Sequence, residues 1–173
     1  MFDHSPLLKR LTTPRVIFAF LFVYCTIMIL VAKFYFQRFL GLEPCPLCAL
    51  QRFFVIGTAL VVAVAFIHNP GTLGRKLYSG LAMLPGLAGI ITATRHVWLQ
   101  SLPPDQVPEC GPGIDYIMQM FSLVDALKFI FSGSGECAEI QWSLLGLTIP
   151  GWTLVAFIVM FAILAFQLLR KDS

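Results

Sequence analysis

The sequence predicts an all-α membrane protein: a four-transmembrane-helix bundle with a short horizontal amphipathic helix in its second outer loop. Hydrophobic residues make up 58% of the 173 positions and charged residues only 12%. A soluble domain is usually about half apolar and a quarter charged. This chain therefore has too few polar residues to surround a water-soluble core. It also has four apolar stretches that reach the roughly 20 residues needed to cross a bilayer.

The four spans are expected to form a single membrane domain over residues 1–173. They fall at about residues 16–36, 47–67, 77–97 and 151–169. Lys33 lies near the end of the first span, where its ammonium group can reach the membrane surface. Pro85 interrupts the third span, which membrane helices tolerate because neighbouring helices satisfy the freed backbone groups. The two loops on the far side are then residues 37–46 and 98–150.

The basic residues predict the orientation, because short loops rich in Lys and Arg stay in the cytoplasm. Seven of them share one side of the predicted topology: Lys9, Arg10, Arg15, Arg75, Lys76, Arg170 and Lys171. The loop 98–150 instead carries six acidic residues against the single Lys128. The loop 37–46 holds Arg38, a mild exception. We therefore expect both termini in the cytoplasm and both of these loops outside.

Residues 114–131 of the long outer loop have the pattern of an amphipathic helix. Their polar side chains recur every three or four positions: Asp115, Gln119, Ser122, Asp125 and Lys128. Two aspartates and a lysine would be costly in hydrocarbon, so a fifth span is disfavoured. We expect a helix that lies flat at the membrane surface. The alternative is packing of its apolar face against the spans.

The predicted orientation places four of the five cysteines on the outer face: Cys45, Cys48, Cys110 and Cys137. Cys110 and Cys137 fall in segments rich in proline and glycine, which predicts accessible, irregular backbone. Cys25 lies in the middle of the first span, where a small buried thiol is expected.

Cys45 and Cys48 form a C-x-x-C motif at the start of the second span. A disulfide that closes so short a loop gains little chain entropy, so a purely structural bridge is disfavoured for this pair. At a helix start, backbone N–H groups and the helix dipole stabilise a thiolate. Arg52 follows on the same helical face and adds a fixed positive charge. This pattern indicates redox chemistry.

Two other functions remain open for the outer cysteines. They could form structural disulfides in a non-enzymatic membrane protein, or they could bind a metal ion through four thiolates. Structural zinc sites usually combine two closely spaced pairs of ligands. Cys110 and Cys137 are far apart in the sequence. The spacing of the cysteines therefore argues against a metal site.

Thiol–disulfide exchange requires an attacking thiolate, an accessible disulfide and a route for the electrons. A loop disulfide between Cys110 and Cys137 could accept electrons from a soluble partner, and the C-x-x-C pair could take them next. The sequence contains neither a glycine-rich nucleotide motif nor a cysteine run typical of an iron–sulfur cluster. A membrane quinone polarised by Arg52 is the simplest terminal acceptor. The small net charge of +3 does not indicate a nucleic-acid partner.

Three features together carry a resemblance to a known family. They are Cys45-Pro46-Leu47-Cys48 followed by Gln51-Arg52, the segment "GECAEIQW", and the segment "LGLTIPGW" before the fourth span. With four spans, they make the chain resemble the DsbB family of bacterial inner-membrane thiol oxidases. The resemblance implies a four-helix bundle whose redox cysteines face the periplasm. It also implies that a Cys110–Cys137 disulfide oxidises a periplasmic DsbA-like protein with a thioredoxin fold.

The resemblance further implies a role for each cysteine. Cys110 would form the mixed disulfide with the partner, and Cys137 can pair with Cys45. Cys48 would contact a quinone, either ubiquinone or menaquinone, as a charge-transfer thiolate with Arg52 nearby.

Two more positions follow from the resemblance. His96, at the outer end of the third span, approximately matches a histidine that lines the quinone site in the family. Gln51 stands where some members have an acidic residue. No catalytic role is expected of Gln51, because an amide does not exchange a proton as a carboxylate does.

Overall fold

The computed structural model describes residues 13–108 and 122–170. Its helices, in chain order, are α1 Pro14–Leu30 with a π-helical continuation Val31–Phe39, α2 Pro46–His68, α3 Thr72–Gln100, α4 Leu123–Ser132, α5 Gly135–Ala138 and α6 Ile149–Leu169. A 3₁₀ turn lies at Pro104–Gln106. A short antiparallel hairpin pairs β1 Ser143–Leu144 with β2 Leu147–Thr148.

Four of these helices are long and apolar enough to cross a membrane, which confirms the predicted four-helix membrane fold. The helices extend beyond the apolar stretches that predicted them. For example, α3 begins at Thr72 and ends at Gln100, whereas the apolar stretch covers only about residues 77–97. Hydropathy marks the part of a helix that suits hydrocarbon, while backbone hydrogen bonding continues into the interface.

The bundle core lies where α3 packs against α6 and α2, and where α2 packs against α1. Large side chains from α1, α2 and α6 fill it, including Phe18, Leu21, Val62, Phe157 and Leu164. The residues that α3 buries there are mostly small: Ser79, Ala82, Gly86, Gly89, Thr92 and Ala93. Small residues allow two membrane helices to approach closely, so the α3–α6 contact depends on them.

Gly89 supplies the first testable prediction. A Cβ atom at this position would overlap the ring of Phe157, which is fully buried on α6. Overpacking of a filled core costs about 1–3 kcal/mol. We therefore expect Gly89→Ala to lower the free energy of unfolding by about this amount, measured by thermal unfolding in detergent. Gly80 lies on the same helix with no atom within 4 Å of its added Cβ, so Gly80→Ala is the matched control. Equal stability of the two variants would contradict this packing.

The predicted amphipathic helix is present in part. Helix α4 begins at Leu123 after Ser122, whose hydroxyl accepts a hydrogen bond from the Asp125 backbone N–H at 3.3 Å. Residues 114–121 of the predicted helix lie outside the described residues. At the other end of α4, Ile130 is buried against Leu47 and Leu99. The C-terminal end of α4 therefore packs on α2 and α3. This agrees with the alternative given above, in which the apolar face of the helix packs against the spans.

Candidate thiol-exchange site

Three thiols and one imidazole meet at one end of the bundle. Cys45 immediately precedes α2, Cys48 lies in its first turn, and Cys137 comes from α5. Cys45 and Cys137 are buried in one apolar cluster with Leu47, Leu99 and Ile130. Residues far apart in the sequence therefore share one environment that is shielded from water.

Local backbone preferences place each element of this site. Pro46 occupies the first helical position of α2, where its fixed φ suits the helix and its missing N–H costs nothing. Gly133 has φ +84°, and a Cβ there would overlap Leu99. Only glycine fits such a position without strain. This close approach to α3 allows the chain to enter α5 and bring Cys137 against Cys45.

Cys137 is a buried thiol whose surroundings raise its pKa. Its side chain is fully buried, and Ser134 Oγ lies 3.8 Å from its Sγ. A hydrogen bond to Cys45 and burial both raise the pKa of the Cys137 thiol above its ordinary value. Because the thiolate is the nucleophile, Cys137 is a weak attacking group while Cys45 is reduced.

His96 faces the thiols. Its Nε2 lies 3.7 Å from Cys45 Sγ, and its Nδ1 lies 3.1 Å from the side-chain nitrogen of Gln51. Both side chains are buried, with 2% of His96 and 3% of Gln51 exposed. The Gln51 amide thus fixes the orientation of the imidazole.

Gln51 is the residue that the sequence alone left without a role. A usable signal was present, because a polar amide within an apolar span needs a hydrogen-bonding partner. The sequence does not say which partner, since His96 lies 45 positions away.

Arg52 lies on the other side of α2. Its Nη1 donates to Gln37 Oε1 at 2.6 Å, and its Nη2 donates to the Ala32 carbonyl at 3.1 Å. Both acceptors belong to the π-helical continuation of α1. The guanidinium group is therefore held at a fixed place between α1 and α2.

Arg52 and Cys48 border one mainly apolar cavity of about 270 Å³. Apolar side chains from α1, α2 and α6 form most of its wall, including Ile27, Met28, Phe36, Val55 and Trp152. The polar side chains in the wall include Gln51 and Arg52. An apolar cavity with a few convergent polar groups is typical of a small-molecule site.

A smaller cleft lies on the thiol side of Cys48. Its lining includes Cys45, Cys48, His96, Glu136 and Glu139. Cys48 is the one cysteine among the described residues that borders both the cleft and the apolar cavity. His96 lines the cleft, and within the described part of the chain it is not in the wall of the apolar cavity.

The predicted site residues therefore divide into two groups around Cys48. Cys45, Cys137 and His96 lie on one side, and Arg52 lies on the other. Cys110 lies outside the described residues. Cys25, as predicted, is a buried thiol: it lies in the bundle core with its Sγ 3.5 Å from Met160 Sδ.

The sequence matches a known family over most of its length. The family model described as "Disulfide bond formation protein DsbB" covers residues 14–167. Three curated relatives carry the name "Disulfide bond formation protein B". The protein from Saccharophagus degradans is 54% identical over 87% of this chain and 90% of its own length. The protein from Nitrosococcus oceani is 51% identical over 92% and 94% of the two chains. The protein from Stutzerimonas stutzeri is 43% identical over 94% of this chain and 99% of its own length.

These matches agree with the fold and with the grouped thiols. Four apolar helices make the chain a multi-pass membrane protein. The family match and the level of identity show that this chain belongs to the DsbB family and is a membrane oxidoreductase of disulfide bond formation.

Proposed function

We propose that this protein is a membrane thiol oxidase that reoxidises a periplasmic DsbA-like disulfide donor and passes the electrons through two cysteine pairs to a membrane quinone. The observation that supports this most strongly is the position of Cys48. It borders a cleft lined by Cys45 and His96 and also an apolar cavity lined by Arg52. One residue thus borders both the cleft that holds the other thiols and the apolar cavity.

The first half of the reaction consists of two exchanges. A Cys110–Cys137 disulfide takes two electrons from the partner's dithiol, so that one S–S bond breaks and another forms in the partner. The resulting thiols then reduce the Cys45–Cys48 disulfide in the same way. The burial of Cys45 and Cys137 in one cluster supports this second exchange, because it brings the two thiols into one environment.

Cys137 would carry out this exchange as a thiolate. The neighbouring Cys45 thiol and burial raise the pKa of Cys137, so the attack requires loss of its proton. The thiolate would attack Cys45 of the Cys45–Cys48 disulfide, form a Cys137–Cys45 bond and release Cys48 as a thiolate.

The apolar cavity fits a quinone. Its wall is mainly hydrocarbon and aromatic, which suits a lipid-soluble ring. When bound, a quinone accepts two electrons and two protons. Cys48 would lie beside the ring, and Arg52 would place a positive charge near it. Gln37 and Ala32 hold that charge in position, so little reorganisation is needed during electron transfer.

The location follows from charge and topology. We infer that the protein lies in the bacterial inner membrane with both termini in the cytoplasm and the redox cysteines facing the periplasm. The basic residues support this, because Arg75 on α3 donates to the Arg170 carbonyl after α6 at 2.9 Å, so these two arginines share one end of the bundle. Glu136 and Glu139 lie beside the thiols at the other end.

A coupled turnover assay tests the proposed function. Purified protein should consume short-chain ubiquinone or menaquinone when it is given a reduced DsbA-like thioredoxin-fold protein, with one quinone reduced for each partner disulfide formed. Quinone absorbance and partner thiols are followed in the same sample. Reactions without partner and without enzyme are the controls. A folded protein that consumes neither quinone would overturn the proposal. If both quinones are consumed, the one that is reduced faster is the preferred acceptor.

A further inference from the structure

We propose that the reduced forms of Cys45 and Cys48, together with His96, make an inhibitory site for a soft divalent metal ion such as Zn²⁺. The ligand atoms of these three residues all lie within 4.8 Å of one another. Zn–S and Zn–N bonds of about 2.3 and 2.0–2.1 Å place the ligands of a tetrahedral site about 3.6–3.8 Å apart. The distance from Cys45 Sγ to His96 Nε2 is already 3.7 Å. Small side-chain rotations would bring in Cys48.

A rotation of the Gln51 amide would give His96 the surroundings of a metal ligand. A metal-bound histidine usually hydrogen-bonds through its second ring nitrogen, which fixes its tautomer and direction. Here Nδ1 contacts the Gln51 side-chain amide at 3.1 Å. A half-turn of that amide presents its oxygen to Nδ1–H and leaves the lone pair of Nε2 directed toward Cys45.

The cleft also has an entrance that attracts cations. Cys137 is buried in the same cluster as Cys45, but it is not among the three residues whose ligand atoms converge. Glu136 and Glu139 line the same cleft, where their negative charge raises the local concentration of cations. Imidazole and thiolate ligands together favour zinc over magnesium or calcium.

Binding would depend on the redox state. A Cys45–Cys48 disulfide removes both thiolates, so only the reduced protein can take up the metal. Binding displaces the thiol protons and transfers no electrons. The bound ion would hold Cys45 and Cys48 reduced and block their return to a disulfide. This proposal does not depend on which molecule accepts electrons during turnover.

Cobalt binding to the full-length protein in detergent tests this site without any quinone or partner. The protein is reduced with a phosphine, which avoids added thiols, and is titrated anaerobically with Co²⁺ and then Zn²⁺. We expect one ion per chain, thiolate-to-cobalt charge-transfer bands, visible bands of tetrahedral cobalt, and displacement by zinc. Absence of the charge-transfer bands, or equal binding by the oxidised protein, would overturn the site.

Variants identify the ligands. Gln51→Leu removes only the hydrogen bond to His96 and should weaken zinc binding by about 10–100-fold, and His96→Ala should weaken it at least as much. Cys48→Ser should weaken the thiolate-to-cobalt charge-transfer band, because one thiolate ligand is lost. Cys25→Ala should bind as the unaltered protein does, because Cys25 lies in the bundle core. Circular dichroism checks that each variant is folded. Binding that survives His96→Ala and Cys48→Ser in folded protein contradicts the assignment.

Discussion

Cys48→Ser is expected to reduce steady-state quinone consumption to the rate seen without enzyme. Cys48 is the described cysteine that borders both the thiol cleft and the apolar cavity, so no other sulfur there can connect the two. Serine has a similar size but forms neither a disulfide nor a thiolate at neutral pH. The measurement is quinone absorbance during turnover with reduced partner protein.

Cys25→Ser is the matched control for this substitution. Cys25 is a fully buried thiol in the bundle core, away from the cleft, and its loss should leave the rate close to that of the unaltered protein. Quinone consumption that persists in folded Cys48→Ser protein would show that the electrons take another route. Loss of activity in both variants would point to a general effect of thiol removal on the bundle.

Arg52→Ala is expected to lower quinone-dependent turnover by about 10²–10³-fold, the usual effect of removing a preorganised electrostatic group. The cation borders the same cavity as Cys48 and is held by Gln37 and Ala32. Partner oxidation in a single turnover should persist, because that step is proposed to use the cysteine pairs and no quinone. Stopped-flow measurement of partner oxidation and steady-state quinone assays separate the two steps.

Gln37→Leu separates the charge of Arg52 from its anchoring. This variant removes the 2.6 Å hydrogen bond but keeps the guanidinium group and its bond to the Ala32 carbonyl. A hydrogen bond to a charged group contributes about 1.5–3 kcal/mol. Because the guanidinium group and its second bond remain, turnover should fall by less than the loss of about 10²–10³-fold expected for Arg52→Ala. Arg52→Ala and Gln37→Leu could instead lower the unfolding temperature by the same amount and lose activity equally. That result would mean that Arg52 has a structural role in joining α1 to α2.

Much of the fold could be predicted from local sequence properties. The apolar stretches predicted four membrane helices because hydropathy and length depend only on residues that are adjacent in the chain. The limits of α3 at Thr72 and Gln100 were harder to predict from hydropathy, because a helix continues past the hydrocarbon boundary. Helix α4 was predicted from residues 114–131 and is described from Leu123, so its first part is still a prediction.

The sequence predicted which residues belong to the candidate site better than it predicted how they are arranged in space. The C-x-x-C spacing indicated redox chemistry at Cys45 and Cys48, with Arg52 nearby, and the predicted topology added Cys110 and Cys137. The resemblance to the family supplied His96 and the separate role of each cysteine. The structure does not test the expectation that His96 lines a quinone site. In the structure it faces Cys45 and Gln51 across the thiol cleft. Its participation in quinone binding is still a prediction.

The sequence by itself determined the class of protein, the number of spans and the residues able to carry thiol chemistry, because composition, periodicity and motif spacing are local properties. Only the tertiary structure decided that Cys48 borders both the thiol cleft and the apolar cavity, that Gln51 orients His96, and that Cys137 is buried in one cluster with Cys45. The last two contacts join residues that are distant in the chain. They arise from the packing of α2 on α3 and the close approach of Gly133 to Leu99, which no single segment specifies.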